Sequence, residues 1–345
     1  MGRPPDLRWE LADNDGPQGA LFEDVVERHI GRGEYRGLEF LHVNARRIIN
    51  EVPAASRVPF RYTINAYRGC SHACAYCFAR PTHEFLGMNA GADFERRIVV
   101  KINAVERLRA ELAPSRWSGD HIAMGTNTDP YQRCEGKYHL TRGIVAELLR
   151  AGNPFSILTK STLILRDVDL LAEAAKVTDV RANFSIGTLD EEVWRLTEPG
   201  TPHPLRRVEA VARLNAAGVP CGVLVAPILP GLSDRDDQLE AVVKACVQAG
   251  AVSVSPILLH LRPGVREHYL GWLADARPEL LPMHEQQYVR AYAPKPTQEA
   301  LSRRVAALVA RYGGRTVSAQ ETRPVAEPSP APPRPEPARQ MSLGI

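Results

Sequence analysis

Half of the chain's six cysteines stand in one short run, RGCSHACAYCFARP, at Cys70, Cys74 and Cys77. Thiolates at C-x3-C-x2-C spacing can hold a metal centre, and three is an informative number. A structural zinc takes four ligands, commonly as two separated pairs. His72 or His83 offers a fourth, but no second cysteine pair follows at finger-like distance. A cubane iron–sulfur cluster normally takes four cysteines. Held by three, it keeps one iron open, as a catalytic metal does, and that iron requires an exogenous ligand. Zinc, or a cluster that is purely structural, is the competing reading. Cys134, Cys221 and Cys246 lie far from one another, so neither a disulfide framework nor a second cluster is expected, and a reducing cytoplasm suits the chain. Cys221 within a strand and Cys246 on the apolar side of a helix read as small buried hydrophobes.

Something must carry that loop. Short apolar runs at 61–67, 121–127, 155–161, 180–188, 220–229 and 251–259 read as buried strands. Helical patterns separate them at 103–112, 141–152, 167–176, 204–218 and 235–250, three of them stopped by Gly152, Gly218 and Gly250. Strand and helix alternating at this spacing means an α/β fold with a parallel sheet. Six such units predict a partial (β/α)6 barrel, and an open doubly wound sheet gives much the same pattern. In either, ligands sit at the carboxyl ends of the strands. Those ends carry the cysteine loop, then Thr126-Asn127-Thr128-Asp129-Pro130-Tyr131, Thr159-Lys160-Ser161, Ser185 and Pro227 to Gly231. Singly these are ordinary turn and cap residues; five strand ends around one cysteine loop point to a site. Residues 1–58 read as an N-terminal extension with a short helical piece at 21–30, and 59–315 as the core. From 316 to 345 the chain carries seven prolines between Pro324 and Pro337, which predicts a disordered tail.

Composition narrows the partners little. Apolar content of 44% and charged content of 24% suit a globular chain with a sizeable core. A net charge of +3 neither requires nor excludes nucleic acid. The start, MGRPPDLRWELADNDG, lacks the apolar stretch of a signal peptide, and runs such as CGVLVAPIL are too short to span a bilayer. No membrane partner is expected.

With Tyr76 between Cys74 and Cys77, the loop reads C-x3-C-x-φ-C and resembles the signature of the radical S-adenosylmethionine (radical SAM) superfamily. The resemblance implies a partial barrel, a [4Fe-4S] cluster and S-adenosyl-L-methionine (SAM) on the open iron. It further implies reductive cleavage of SAM to a 5′-deoxyadenosyl radical and an electron donor such as flavodoxin or ferredoxin. The stretches TNTDPYQ, ILTKS and EPGTP are similar to the branch containing spore photoproduct lyase, over roughly residues 60 to 265. That branch implies Tyr76 near the adenine, and Thr126, Asn127, Thr128 and Asp129 near the methionyl amino group. It also implies Lys160 on the SAM carboxylate and Ser185 on the ribose. APILPGLSD resembles a G-x-I-x-G-x-x-E stretch with Ile228 against the adenine, though Ala226 replaces its Gly and Asp234 its Glu.

Elementary physics asks for an anion beside a lysine at a buried strand end, and SAM would supply one. The alternative is that Lys160 snorkels to solvent and pairs with Asp167 or Asp129. The branch implies a DNA substrate, a lesion-reversing lyase reaction, and Cys134 as hydrogen donor to the product radical; an incidental loop cysteine is the alternative. An enzyme modifying a protein or small molecule, and a non-catalytic iron–sulfur or zinc-stabilised binding protein, remain open. The terminal residues Gln340 to Ile345 resemble short peptides that dock on the DNA sliding clamp.

Overall fold

The computed structural model describes residues 22–53, 56, 58–113 and 117–316. Residues 1–21 and everything after 316 lie outside the described residues, and with them the tail and the Gln340–Ile345 peptide. β1 (Phe22–Ile30) pairs antiparallel with β2 (Glu39–Ala45), β3 (Ile49–Glu51) with β4 (Tyr62–Ile64), and β5 (Tyr67–Arg68) with β6 (Arg97–Lys101). β6 also runs parallel beside β2, which closes a four-stranded sheet in the order β1-β2-β6-β5. Next come β7 (Ile122–Met124), β8 (Phe155–Thr159), β9 (Val180–Ser185), β10 (Cys221–Ile228) and β11 (Val254–Leu258). With β4 and β3 they form a seven-stranded sheet ordered β11-β10-β9-β8-β7-β4-β3.

From β4 to β11 every neighbouring pair in that sheet is parallel. These six strands are the six runs expected from the sequence, and the fold is the partial (β/α)6 barrel. Parallel strands are covered on both faces and so read as near-continuous apolar runs; Ile122, Ala123 and Met124 of β7 are all buried. The covering helices run over Ala104–Glu111, Leu140–Arg150, Val168–Val177, Pro204–Ala216 and Asp236–Gln248. The second buries Leu140, Ile144, Val145 and Leu148, the spacing of one helical face. After it Gly152 has φ 62°, the left-handed stop that the sequence predicts.

One expectation is overturned. The expected helical piece at 21–30 is not helical over 22–30, which is β1, laddered to β2 with irregularities at Glu23/Val25 and Val25/Glu27. FEDVVERHI holds no strong local preference, and an available sheet edge decides it. Strands from both sides of residue 58 share both sheets, so residues 22–53 of the extension pack with the core.

Candidate active site at the cysteine loop

β5 hands the chain to Gly69 and Cys70, whose N–H donates to Phe94 O at 2.8 Å. Three turns follow: Ala73 N–H to Cys70 O, Cys77 N–H to Cys74 O and Arg80 N–H to Cys77 O, each 3.3 Å. The first is tight enough to hold Ala73 at φ 53°, a left-handed conformation uncommon for a residue with a Cβ. The fully buried Arg80 clamps the loop from below. Its Nε and Nη2 donate to Cys74 O at 3.1 and 2.8 Å, Nη1 donates to Ala90 O at 3.0 Å, and Nη2 meets Glu95 at 2.6 Å. From the other side the segment after β9 leans on the loop. Ala75 N–H donates to Thr197 O and Gly200 N–H to His72 O, both at 3.0 Å. A Cβ at Gly200 would stand 2.2 Å from Ser71 O, so only glycine fits this approach.

Burial pushes all three thiols up, so they become thiolates here only against a metal or a strong cation. Among the described residues, the one set of three donors within 4.8 Å of one another, as ligands of a single ion are, is Glu27, His29 and His42 in the other sheet. Three thiols carried on one loop are the donor type of an iron–sulfur cluster. His72 Nδ1 faces Asp129 at 3.4 Å and His83 Nε2 contacts Arg97 O at 3.0 Å, while His83 Nδ1 is buried without a hydrogen-bond partner.

Beside the loop the structure draws together three residues expected at the site. Lys160, at the end of β8, places Nζ 2.5 Å from Ser185 Oγ, 3.5 Å from Ala226 O and 5.5 Å from the Tyr76 ring centroid. Its anionic partner is neither Asp129 nor Asp167 but Glu198, with Oε1 at 3.1 Å. Glu198 is 4% exposed. It also accepts from the Tyr76 hydroxyl and meets Arg207 at 2.5 Å. Burial pushes its carboxyl up, but Arg207, Lys160 and Tyr76 outweigh that and hold it at about 2. Burial, then the Glu198 charge, pushes the Tyr76 phenol well up. Lys160 is therefore already neutralised within the chain, and its burial alone does not demand a ligand. Sequence reasoning missed Glu198 and Arg207, although EPGTP was the signal for the first.

Thr126 to Asp129 lie against the loop but are largely occupied in fastening it. Thr126 and the Asn127 N–H bond Asn65. Thr128 Oγ1 donates to Gly69 O at 2.7 Å and accepts from Gln132, whose Oε1 accepts from Ser71 N–H at 3.0 Å. Asp129 accepts from Thr159 Oγ1 and Lys160 N–H at 2.6 and 2.7 Å. Burial pushes its carboxyl up, yet His72, Thr159 and the Lys160 N–H together bring it below the usual range. Asp234 accepts from Gly231 N–H at 2.8 Å and so closes its own turn.

Two expected site residues face elsewhere. Ile228 is fully buried in the main core, and its neighbour Leu229, just past the end of β10, packs in the apolar cluster that contains Cys74, Tyr76 and Cys77. Cys134 is also fully buried in that main core, where burial pushes its thiol well up. Its carbonyl accepts from Lys137 and Tyr138 N–H in a helical turn, which turns the side chain inward. A hydrogen donor must reach the substrate, and a sealed thiol does not.

Fold and loop together define a partial (β/α)6 barrel of the kind that carries an iron–sulfur cluster. The chain belongs to the radical SAM superfamily, whose family model matches residues 64–243, and the cofactors of that superfamily are a [4Fe-4S] cluster and SAM. An uncharacterized protein of Mycobacterium tuberculosis is 44% identical over 300 residues, 87% of this chain and 88% of that one. One from Acidianus two-tailed virus is 31% identical over 216 residues, 61% of this chain and 70% of that one. Among solved structures, spore photoproduct lyase complexed with dinucleoside spore photoproduct shares the fold, with a TM-score of 0.57 at 16% identity over 79% of each chain. Among the described residues no helix is long and apolar enough to cross a membrane.

Proposed function

We propose that this radical SAM enzyme acts on a base of a nucleic acid, in the manner of a lesion-reversing lyase. The observation that carries the catalytic part is the convergence of Tyr76, Lys160, Ser185 and Glu198 beside Cys70, Cys74 and Cys77. In this reading Cys70, Cys74 and Cys77 would hold the [4Fe-4S] cluster, with SAM bound beside it. Bound together, the two cofactors supply reductive cleavage of SAM and abstraction of a hydrogen atom from substrate.

The chain's own residues do the positioning. Lys160 presents an ammonium to the SAM carboxylate, and Glu198 fixes where that ammonium sits. Ser185 donates to Ala226 O at 2.6 Å, which orients its hydroxyl beside Lys160 for a ribose. Arg80 and Gly200 hold the loop so that cofactor binding does not have to order it, and preorganisation of this kind is what a site on rigid supports contributes. Leu229 and Tyr76 wall the loop with apolar surface, which limits water near a reactive radical. The nucleic-acid part draws support from the likeness in fold to a spore photoproduct lyase holding a dinucleoside lesion.

The test is anaerobic reconstitution with iron and sulfide, reduction by dithionite or reduced flavodoxin, and measurement of 5′-deoxyadenosine. A protein that instead binds one zinc and shows no iron–sulfur absorption would refute the catalytic reading. Lesion-bearing DNA then serves as substrate, with protein extracts and small metabolites as competing arms.

A further inference from the structure

Three rings stand in file on the rim of the cysteine loop. Phe78 follows Cys77 directly and is 45% exposed. Its ring lies 6.1 Å from that of His260, which stacks on Tyr292 at 5.5 Å and 22°. Tyr292 is 47% exposed. The local fold explains why these rings face outward. His260 and Tyr292 bridge as an antiparallel pair, and Leu261 N–H donates to Ala291 O at 2.7 Å. Residues to either side, Leu259, Leu261 and Ala293, alternate inward and pack with Cys74, Tyr76 and Cys77 in one apolar cluster. The chain that backs the cysteine loop thus turns an aromatic row to the surface beside it. At the edge of that row Arg262 Nη2 donates to Tyr292 Oη at 3.2 Å, and exposed Arg290 stands two residues before Tyr292.

Phe78 and Tyr292, the exposed ends of a row about the half-buried His260, with a guanidinium at the edge, make a surface on which bases of a single strand stack while the backbone phosphate is neutralised. An aromatic side chain of a peptide would stack as well but brings no anion at a fixed distance from its ring. A base inside a duplex has both faces covered and must leave the stack to be used. Phe78 is the residue next to the last cysteine, so whatever stacks there is held against the loop where the chemistry is placed.

We propose that Phe78, His260 and Tyr292 form the stacking platform for an unpaired base of the nucleic-acid substrate, with Arg262 holding the adjacent phosphate. This rests on the nucleic-acid reading above and adds the surface and the strand state. The platform selects single-stranded or extruded bases and leaves sequence to other contacts.

The experiment is a fluorescence-anisotropy titration of the untagged, anaerobically reconstituted full chain with a labelled single-stranded oligothymidylate, and with the same strand in duplex. The single strand is expected to bind more tightly. Tyr292→Leu and Phe78→Leu should each weaken it at least about fivefold, the low end for loss of one aromatic–base stack, while Tyr292→Phe retains the stack. Arg262→Gln should lower the slope of log K against log salt by about 0.7, one phosphate on a single strand. Phe85→Leu, at an exposed ring outside the row, should bind like wild type. Iron content reports whether Phe78→Leu disturbs Cys77; Tyr292→Leu, remote in sequence, carries the test if it does. Oligonucleotide binding that both ring variants leave unchanged, or that Phe85→Leu weakens equally, overturns the platform and leaves the nucleic-acid reading standing. No binding of either DNA by cluster-loaded protein removes both. Displacement of the strand by an aromatic peptide of equal length, with tighter binding, assigns the surface to a protein substrate and overturns the proposal.

Discussion

Glu198→Gln removes one charge and keeps the side chain's size, so its effect isolates electrostatics. The native carboxylate is buried and meets Lys160, Arg207 and the Tyr76 hydroxyl. Its pKa of about 2, against an ordinary 4.5, is worth about 3 kcal/mol at 1.36 kcal/mol per unit. The general cost of removing one partner from a buried ion pair, about 3–5 kcal/mol, is of the same size. The two figures are of one size, and a loss of about 3 kcal/mol at pH 7 is expected. The folded pKa lies below the unfolded one. The contribution is therefore complete above about pH 4.5 and is lost as pH falls toward 2. Urea unfolding of the reduced, cluster-free chain, wild type against variant, measures this from pH 7 down to pH 3.5. The gap should hold steady to about pH 5 and then narrow. Adding Lys160→Met should recover at least about 1 kcal/mol, because the stranded ammonium goes with it. A variant within about 1 kcal/mol of wild type at pH 7, or a gap constant through the acid range, would refute the reasoning.

Alanine at any one of Cys70, Cys74 or Cys77 should abolish iron–sulfur absorption and 5′-deoxyadenosine formation, whereas Cys134→Ala should alter neither iron content nor product distribution. Gly200→Ala sets a methyl against Ser71 O and should cost roughly 2 kcal/mol or more by overpacking, read as a lower melting temperature and poorer iron retention; wild-type values on both would show that the segment after β9 does not brace the loop. Lys160→Met should weaken SAM binding at least about tenfold by equilibrium dialysis while leaving iron content intact, and unchanged SAM affinity would return Lys160 to a purely structural role.

Much of this was legible in the chain because it is local. Ligand spacing in a loop is a sequence property, and so is the apolar run of a strand buried on both faces. Glu198 was not legible in the same way. Its partners Tyr76 and Lys160 stand 122 and 38 residues away in sequence; the pairing of β8 with β9 brings Lys160, and the bond of Ala75 N–H to Thr197 O brings Tyr76. Ile228 lies in the main core while its neighbour Leu229 packs with Cys74, Tyr76 and Cys77, a difference between adjacent residues that spacing alone does not encode. Residues 22–30 failed because an edge pairing, absent from any local pattern, chose strand over helix. Cys134 was correctly placed after β7 along the chain, but whether a loop residue faces the mouth or the core depends on a turn that spacing does not encode.

The cysteine loop hangs between two ladders. β4 belongs to the barrel sheet, and β5, three residues further on, belongs to the other sheet through β6, which lies beside β2. Whatever grips the loop therefore draws on two cooperative units at once, and by linkage it stabilises both. Loading the cluster should slow amide hydrogen exchange not only around Cys70 to Cys77 but along 39–45 and 97–101, strands that contain no cysteine. The reverse holds when oxygen destroys the cluster: exchange should rise first in that small sheet, while β8 to β10 stay protected. A deletion of the first strands would then read out as a cofactor defect, although no ligand had been removed.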